Sequence, residues 1–369
     1  MMIGAGLLAG CVSSAAIVPP QRQAQPERSH AGAVTVPIGP PVRSSTSAPP
    51  PRGTLDPGFR RPAPGLNDRI AALWRAFPGK TGIAVQRIDG EWAIAQRGDD
   101  LFPQQSVSKL WVTMSILDAV DNGRIRLDQN VRIGPEDLVV FHQPLAARVR
   151  SEGSVTMNVR DLIETAITHS DNLANDSLLR TVGGPGAVRA FIAKKDLGSI
   201  RFGPGERLLQ SGTAGLSWQQ SYSIARNFQA ARAALPMATR QAAMNRYLAD
   251  PVDGASPAAI ASALTRLARG TLLSPESTDY LLGVMSRTKS GPQRLKAGLP
   301  PGWTFVHKTG TGQDLNGMTA GYNDIGIATA PDGTRYAIVV MLGSTTSSIP
   351  ARMALMQAVS GAVAEFHGR

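Results

Sequence analysis

Phe102-Pro103-Gln104-Gln105-Ser106-Val107-Ser108-Lys109-Leu110-Trp111 sets a serine and a lysine three residues apart at the opening of an apolar run. The run continues through Val112, Met114, Ile116, Leu117, Ala119 and Val120 and stops at Asp121-Asn122-Gly123, the pattern of a buried helix. Residues three apart share a helix face, so Lys109 stands over Ser106. A serine hydroxyl is a weak nucleophile until a nearby base takes its proton. A lysine can do so only where burial or neighbouring cations keep it partly neutral. Ser-x-x-Lys alone settles little, because a polar pair at a helix start looks the same. The chain carries a second copy, Ser286-Arg287-Thr288-Lys289.

Two further motifs separate the copies. Ser170-Asp171-Asn172 follows a helical pattern, 170 − 106 = 64 residues after the first serine. Lys308-Thr309-Gly310-Thr311-Gly312 ends a strand-like run, 308 − 170 = 138 residues later. Each triplet alone reads as a helix cap or a strand-end turn. In this order, each on the expected element, they resemble the signature of class A β-lactamases and penicillin-binding proteins. Ser286 comes after Ser-Asp-Asn and at a helix end, so that copy is the decoy. The resemblance to class A β-lactamases extends over most of 66–369. It includes Phe102 four residues before the serine and Asp137-Leu138-Val139-Val140-Phe141, similar to the segment that sets an aromatic at the cleft edge. Arg294 to Pro300 and Asn323-Asp324-Ile325 also look familiar.

The resemblance implies an α/β sandwich: a five-stranded antiparallel sheet with flanking helices, beside an all-α lobe. It implies roles residue by residue. Ser106 attacks the lactam carbonyl, Lys109 accepts or relays its proton, and Ser170 delivers a proton to the leaving nitrogen. The backbone N–H groups of Ser106 and Thr311 form the oxyanion hole. Asn172 holds the substrate's amide side chain. Lys308, Thr309 and Gly310 frame the site of its carboxylate, and Phe141 edges the cleft. Turnover also needs a base for the deacylating water. Arg201-Phe202-Gly203-Pro204-Gly205-Glu206-Arg207-Leu208-Leu209-Gln210 resembles the loop that carries it, and Glu206 is the one glutamate between Glu164 and Glu276.

The departures are specific. Pro204 stands where the family has its loop-bracing arginine, and Arg201 is out of register. The strand after Lys308 carries Tyr322-Asn323 where an arginine often helps to bind the carboxylate. The segment of about 211–249 is an insertion, expected to add a helix beside the site. Two other functions use the same motifs. A D-alanyl-D-alanine peptidase or penicillin-binding protein acts on peptidoglycan without Glu206. A non-catalytic envelope lipoprotein binds β-lactams or cell-wall peptides.

The remaining chain fits this frame. Residues 18–65 are rich in Pro, Ser, Ala and Arg, too poor in apolar groups to fold, and read as an extended linker. Folding is expected from Leu66, with Asn67 capping a helix and Asp89-Gly90 joining strands 81–86 and 92–95. Helices are expected at 158–167, 173–181, 185–195, 219–233, 257–268, 276–287 and 351–365. Strands are expected at 304–308, 318–329 and 336–342. Strands at both ends with helices between imply a sheet closed by distant segments and a cleft between two lobes.

Composition narrows the class. Lys and Arg exceed Asp and Glu by 38 − 27, a net charge of +11, and 42% of residues are apolar. The basic residues are scattered and not interleaved with aromatics, so no nucleic-acid partner is expected. The charge suits an exported protein among anionic envelope polymers. The one cysteine, Cys11, follows Leu7-Leu8-Ala9-Gly10 and excludes an internal disulfide. Leu-Ala-Gly-Cys resembles a bacterial lipobox, which implies a signal segment over 1–17, lipidation of Cys11 and a periplasmic, membrane-tethered protein. No basic residue precedes the short apolar start. A monomer is expected, and no cofactor. The five histidines, 30, 142, 169, 307 and 367, are dispersed without metal-ligand spacing.

Overall fold

The computed structural model describes residues 61–368; the segment 1–17 with Cys11, and the linker as far as residue 60, lie outside the described residues. The sheet brings together segments from both ends of this region. Its order is Ala93–Gln96, Lys80–Arg87, Arg335–Thr345, Met318–Thr329, Thr304–Thr311. Every neighbouring pair is antiparallel. These are the five strands the resemblance implies; a sixth, the two-residue Asp314–Leu315, is added on Met318–Thr329.

Successive strand side chains face opposite sides, and here both sides are covered. Ile338, Val340 and Leu342 pack with Leu66 and Ile70 of helix Leu66–Ala76 and with Leu355, Met356 and Val359 of helix Ile349–Glu365. Ala337, Val339 and Met341 belong to the larger core that includes the helical lobe. Burial on both faces explains why this strand is apolar at nearly every position, without polar alternation.

In the lobe, helix Lys109–Asp121 is buried from Lys109 through Ala119, as a helix that is apolar all round must be. It is surrounded by the helices Val159–Thr168, Asn172–Thr181, Pro185–Lys194, Pro257–Ala268 and Pro275–Ser286. Side-chain caps mark the starts. The Asn158 side chain accepts from Asp161 N–H, Asp171 from Ala174 and Ser256 from Ala259.

Two local expectations change. The first helix starts at Leu66 with Gly65 as its N-cap in a left-handed conformation (φ 85°), so Asn67 is not the cap. Burying Leu66 draws the start two residues towards the N-terminus. The helix read over 219–233 is broken. A 3₁₀ turn spans Gln220–Ser223, Ala225 takes a positive φ of 48°, and the α-helix runs Asn227–Ala234. Packing of Trp218, Tyr222 and Phe228 around Val140 and Ala214 overrides helical continuity there. A second helix in this segment, Met237–Ala249, had no sequence expectation.

Candidate active site

Ser106 sits on a 3₁₀ turn, Gln105–Ser108, and the α-helix proper begins at Lys109. The turn is clamped from several directions. Gln105 N–H donates to Asp253 Oδ2 (2.8 Å) and Trp111 Nε1 donates to Gln104 Oε1 (2.5 Å). Strand Phe102–Pro103 pairs with Gly254–Ala255. On the other side runs strand Thr304–Thr311, where Gly310 is obligatory: a Cβ there would lie 2.3 Å from the Gln104 carbonyl oxygen. The glycine lets the Lys-Thr-Gly strand close against the serine turn.

Lys109 joins three distant segments. Its Nζ donates to Ser106 Oγ (2.8 Å), Asn172 Oδ1 (2.9 Å) and Glu206 Oε1 (2.7 Å). Three donors meet three acceptors, so the ammonium is fully satisfied although it has no solvent exposure. Asn172 is set by its amide donating to Val140 O and its N–H donating to His142 O. Glu206 opens helix Glu206–Ala214, where a loop was expected to continue, and its second oxygen accepts from Gln210 Nε2 (3.1 Å). Glu206 N–H faces Asp176 Oδ1 at 3.4 Å. Burial, with the Glu206 carboxylate second, pushes the Asp176 carboxyl up to about 7.

Ser170 Oγ receives a hydrogen bond from Lys308 Nζ (2.9 Å), whose other partner is Thr309 O. Lys308 is wholly buried; burial first, then the Lys109 and Arg294 charges, hold it well below the usual lysine range. The cleft, about 350 Å³, is lined by Ser106, Phe141, Ser170, Asn172, Glu206, Thr309 and Thr311 of the expected set. Lys109, Lys308 and Gly310 lie behind that surface. Gln105 (φ 54°), Phe141 (φ 62°) and Ser170 (φ 58°) all adopt left-handed backbone, at about 1–2 kcal/mol each. Strained non-glycine residues grouped at one cleft mark the place where geometry is imposed by the surroundings.

Sequence reasoning missed Arg294 as a site residue. It lines the cleft, donates through Nη2 to Thr311 Oγ1 (2.7 Å) and through Nη1 to Asn323 O (2.7 Å), and lies 3.8 Å over the Tyr322 ring. It supplies a cation where strand residues Tyr322-Asn323 supply none. The only signal was the familiar run Arg294 to Pro300. The second Ser-x-x-Lys is dispersed: Ser286 Oγ donates to Gly283 O, and Lys289 Nζ contacts His169 Nε2. Among the described residues, no group of three or more His, Cys, Asp or Glu could hold a metal ion.

Residues 65–366 match the model of the Beta-lactamase enzyme family. The chain is 26% identical over 282 residues to Beta-lactamase VEB-1 of Pseudomonas aeruginosa, covering 76% of this chain and 83% of that one. It is 27% identical over 304 residues to Extended-spectrum beta-lactamase PER-1 of the same organism, covering 82% and 88%. Among solved structures, an ancestral (GNCA) class A β-lactamase superposes with a TM-score of 0.65 at 31% identity, covering 81% of this chain and 99% of that one. TLA-3 extended-spectrum beta-lactamase superposes with a TM-score of 0.68 at 26% identity, covering 83% and 99%.

Proposed function

The chain belongs to the β-lactamase enzyme family and is a class A serine hydrolase; from that premise we propose that it hydrolyses the amide bond of β-lactams through an acyl-enzyme on Ser106. Lys109 first releases one ammonium proton to the cleft water; Ser106 Oγ then attacks the lactam carbonyl carbon while its proton passes to the freed Lys109 amine. The oxyanion is met by the backbone N–H groups of Ser106 and Thr311, each worth about 3 kcal/mol. The C–N bond breaks, and the nitrogen takes a proton from Ser170, which Lys308 resupplies. Water then attacks the ester carbonyl and gives a proton to the Glu206 carboxylate. The C–O bond to Ser106 breaks, Ser106 takes its proton back from Lys109, and the ring-opened acid leaves; Glu206 passes the water's proton to Lys109, and Lys308 regains one from solvent.

The observation that carries this reading is Lys109 Nζ lying 2.8 Å from Ser106 Oγ and 2.7 Å from Glu206 Oε1. Nucleophile and proposed water-activating base thus share one buried proton carrier on the cleft wall. A chromogenic cephalosporin assay on residues 66–369 tests it. Wild type should turn over steadily, Ser106→Ala should neither acylate nor turn over, and Glu206→Ala should accumulate acyl-enzyme. One-to-one acylation of wild type without turnover would replace this reading by a penicillin-binding one.

We also propose the periplasmic, lipid-tethered placement, on the strength of Leu7 to Cys11 alone. Mass spectrometry of membrane-fraction protein should find diacylglycerol on Cys11; an unmodified Cys11 there would refute the tether.

A further inference from the structure

A buried relay of side chains runs from Glu206 into the segment of about 211–249. Glu206 Oε2 accepts from Gln210 Nε2, which also donates to Gln105 Oε1 (both 3.1 Å). Gln105 Nε2 in turn donates to the Tyr247 hydroxyl at 2.6 Å. Tyr247 donates to Asp253 Oδ1 (2.9 Å), and Asp253 Oδ2 accepts the Gln105 N–H (2.8 Å). The path closes on Gln105, the residue preceding the nucleophile, and every member is buried.

Counting protons fixes the direction of each bond. The phenol has one proton and gives it to Asp253, so toward Gln105 it can only accept. That turns the Gln105 NH₂ toward Tyr247 and leaves the Gln105 carbonyl facing Gln210. Gln210 must then present its NH₂ to Gln105 and Glu206 together, and its own carbonyl accepts from Gln313 Nε2 (3.0 Å). One hydroxyl thereby sets two amide orientations and, through them, the hydrogen bond on the glutamate. No arginine takes part. Pro204 occupies the position where a bracing arginine was expected, and Arg201 bonds Asp250 at the surface.

We propose that Tyr247, delivered by helix Met237–Ala249, is a positioning residue for deacylation: anchored on Asp253, its hydroxyl orients Gln105 and Gln210 so that the Glu206 carboxylate is held in one geometry across Lys109 from Ser106. The inference rests on the assignment of Glu206 as the deacylation base. Tyr247 stands in for the missing loop brace. Its ring packs with Leu209, Met244, Leu315 and Ala320, so Tyr247→Phe removes the hydroxyl and keeps the packing. Because Gln105 N–H keeps its bond to Asp253 in that variant, the serine turn holds and acylation is spared.

The test resolves acylation by the stopped-flow burst of a chromogenic cephalosporin and deacylation by the decay of acyl-enzyme in intact mass spectra. Tyr247→Phe should slow deacylation about 10- to 100-fold, the scale for a reacting group displaced by up to about 1 Å. Acylation should stay within about threefold of wild type, with the burst rising towards one equivalent. Deacylation within about twofold of wild type overturns the proposal. Equal losses in both steps also overturn it, because they mark general loosening. Glu206→Gln is run alongside. If it turns over like wild type, the base assignment falls and this inference with it; if it traps acyl-enzyme while Tyr247→Phe does not, only the relay fails. Should Tyr247→Phe not fold, Asp253→Asn keeps a carbonyl oxygen for the Gln105 N–H, so the serine turn holds, and sets its NH₂ against the phenol, which loses its acceptor; the same outcomes decide.

Discussion

Arg294→Gln tests how the cleft takes up a carboxylate. The guanidinium is pinned by Asn323 O at 2.7 Å, Gly310 O at 3.2 Å, Thr311 Oγ1 at 2.7 Å and the Tyr322 ring below it. Because Arg294 donates to Thr311 Oγ1, the threonine's own proton is free to point at a ligand. A carboxylate oxygen bonded there lies about 2.7 Å from Oγ1 and so about 5 Å from the guanidinium. With an effective dielectric of about 20, that separation is worth about 332/(20 × 5), or about 3 kcal/mol, roughly a hundredfold in affinity. Ground state and transition state both carry the carboxylate, so the loss should fall on KM and leave kcat nearly unchanged. The assay is steady-state kinetics on a β-lactam and on its methyl ester, with thermal melts to confirm folding. KM should rise about 10- to 100-fold for the acid and by less than about threefold for the ester. Equal rises would show that Arg294 only braces the strand. No rise for the acid would assign the carboxylate to another cation.

Three further outcomes follow from the geometry. Gly310→Ala places a Cβ 2.3 Å from Gln104 O; the strand must retreat from the Ser106 turn, and kcat/KM should fall about 100-fold or more in protein that keeps its circular-dichroism spectrum. Asp176 has a folded pKa near 7 against 3.8, so its contribution is fully present below the lower value and lost as pH rises through the higher. Asp176→Asn should therefore gain in melting temperature over wild type between pH 4 and 7, then stay level; a pH-independent difference would contradict the burial argument. Phe228, 2% exposed and edge-on to Phe141 at 5.1 Å, anchors the inserted segment on the cleft rim. Phe228→Ala should cost about 3–5 kcal/mol, seen as a drop of roughly 10 °C or more in thermal melts.

How far the sequence could be read depends on how local each signal is. Ser106 and Lys109 are neighbours on one turn, Ser170 sits between two helices and Lys308 within strand Thr304–Thr311, all in short-range patterns whose order and spacing carried the resemblance. Strand 318–329 was legible to the residue because most of its length is apolar or small, although Asn323 and Asp324 lie buried within it. Glu206 was singled out by the resemblance of 201–210 to the family's loop, with scarcity in support, since it is alone between Glu164 and Glu276. Arg294 had no such help. Its role depends on acceptors at Gly310, Asn323 and Thr311, which only the folded strand pair brings under it. Tyr247 is harder still, 142 residues from the amide it orients. The broken helix over 219–233 failed for a related reason: aromatic packing against Val140 outweighed a local periodicity.

The segment 211–249 cannot be understood as a lid laid over a finished site. A lid touches a rim and can be removed with the floor intact. This segment touches the rim through Phe228 against Phe141 and also reaches the floor, through Tyr247 against Gln105. It ties in at other places too, among them Arg150 donating to Ser223 O, Arg232 to Asp314 O and Gln220 to Pro135 O. Cutting it out would expose Asp253, leave the Gln105 amide without its acceptor, and strip a buried face from Leu209 and Leu315. Loss of activity in a deletion would therefore say nothing about substrate entry. Only single-atom changes, such as removal of the Tyr247 hydroxyl, separate what the segment does for the rim from what it does for Glu206.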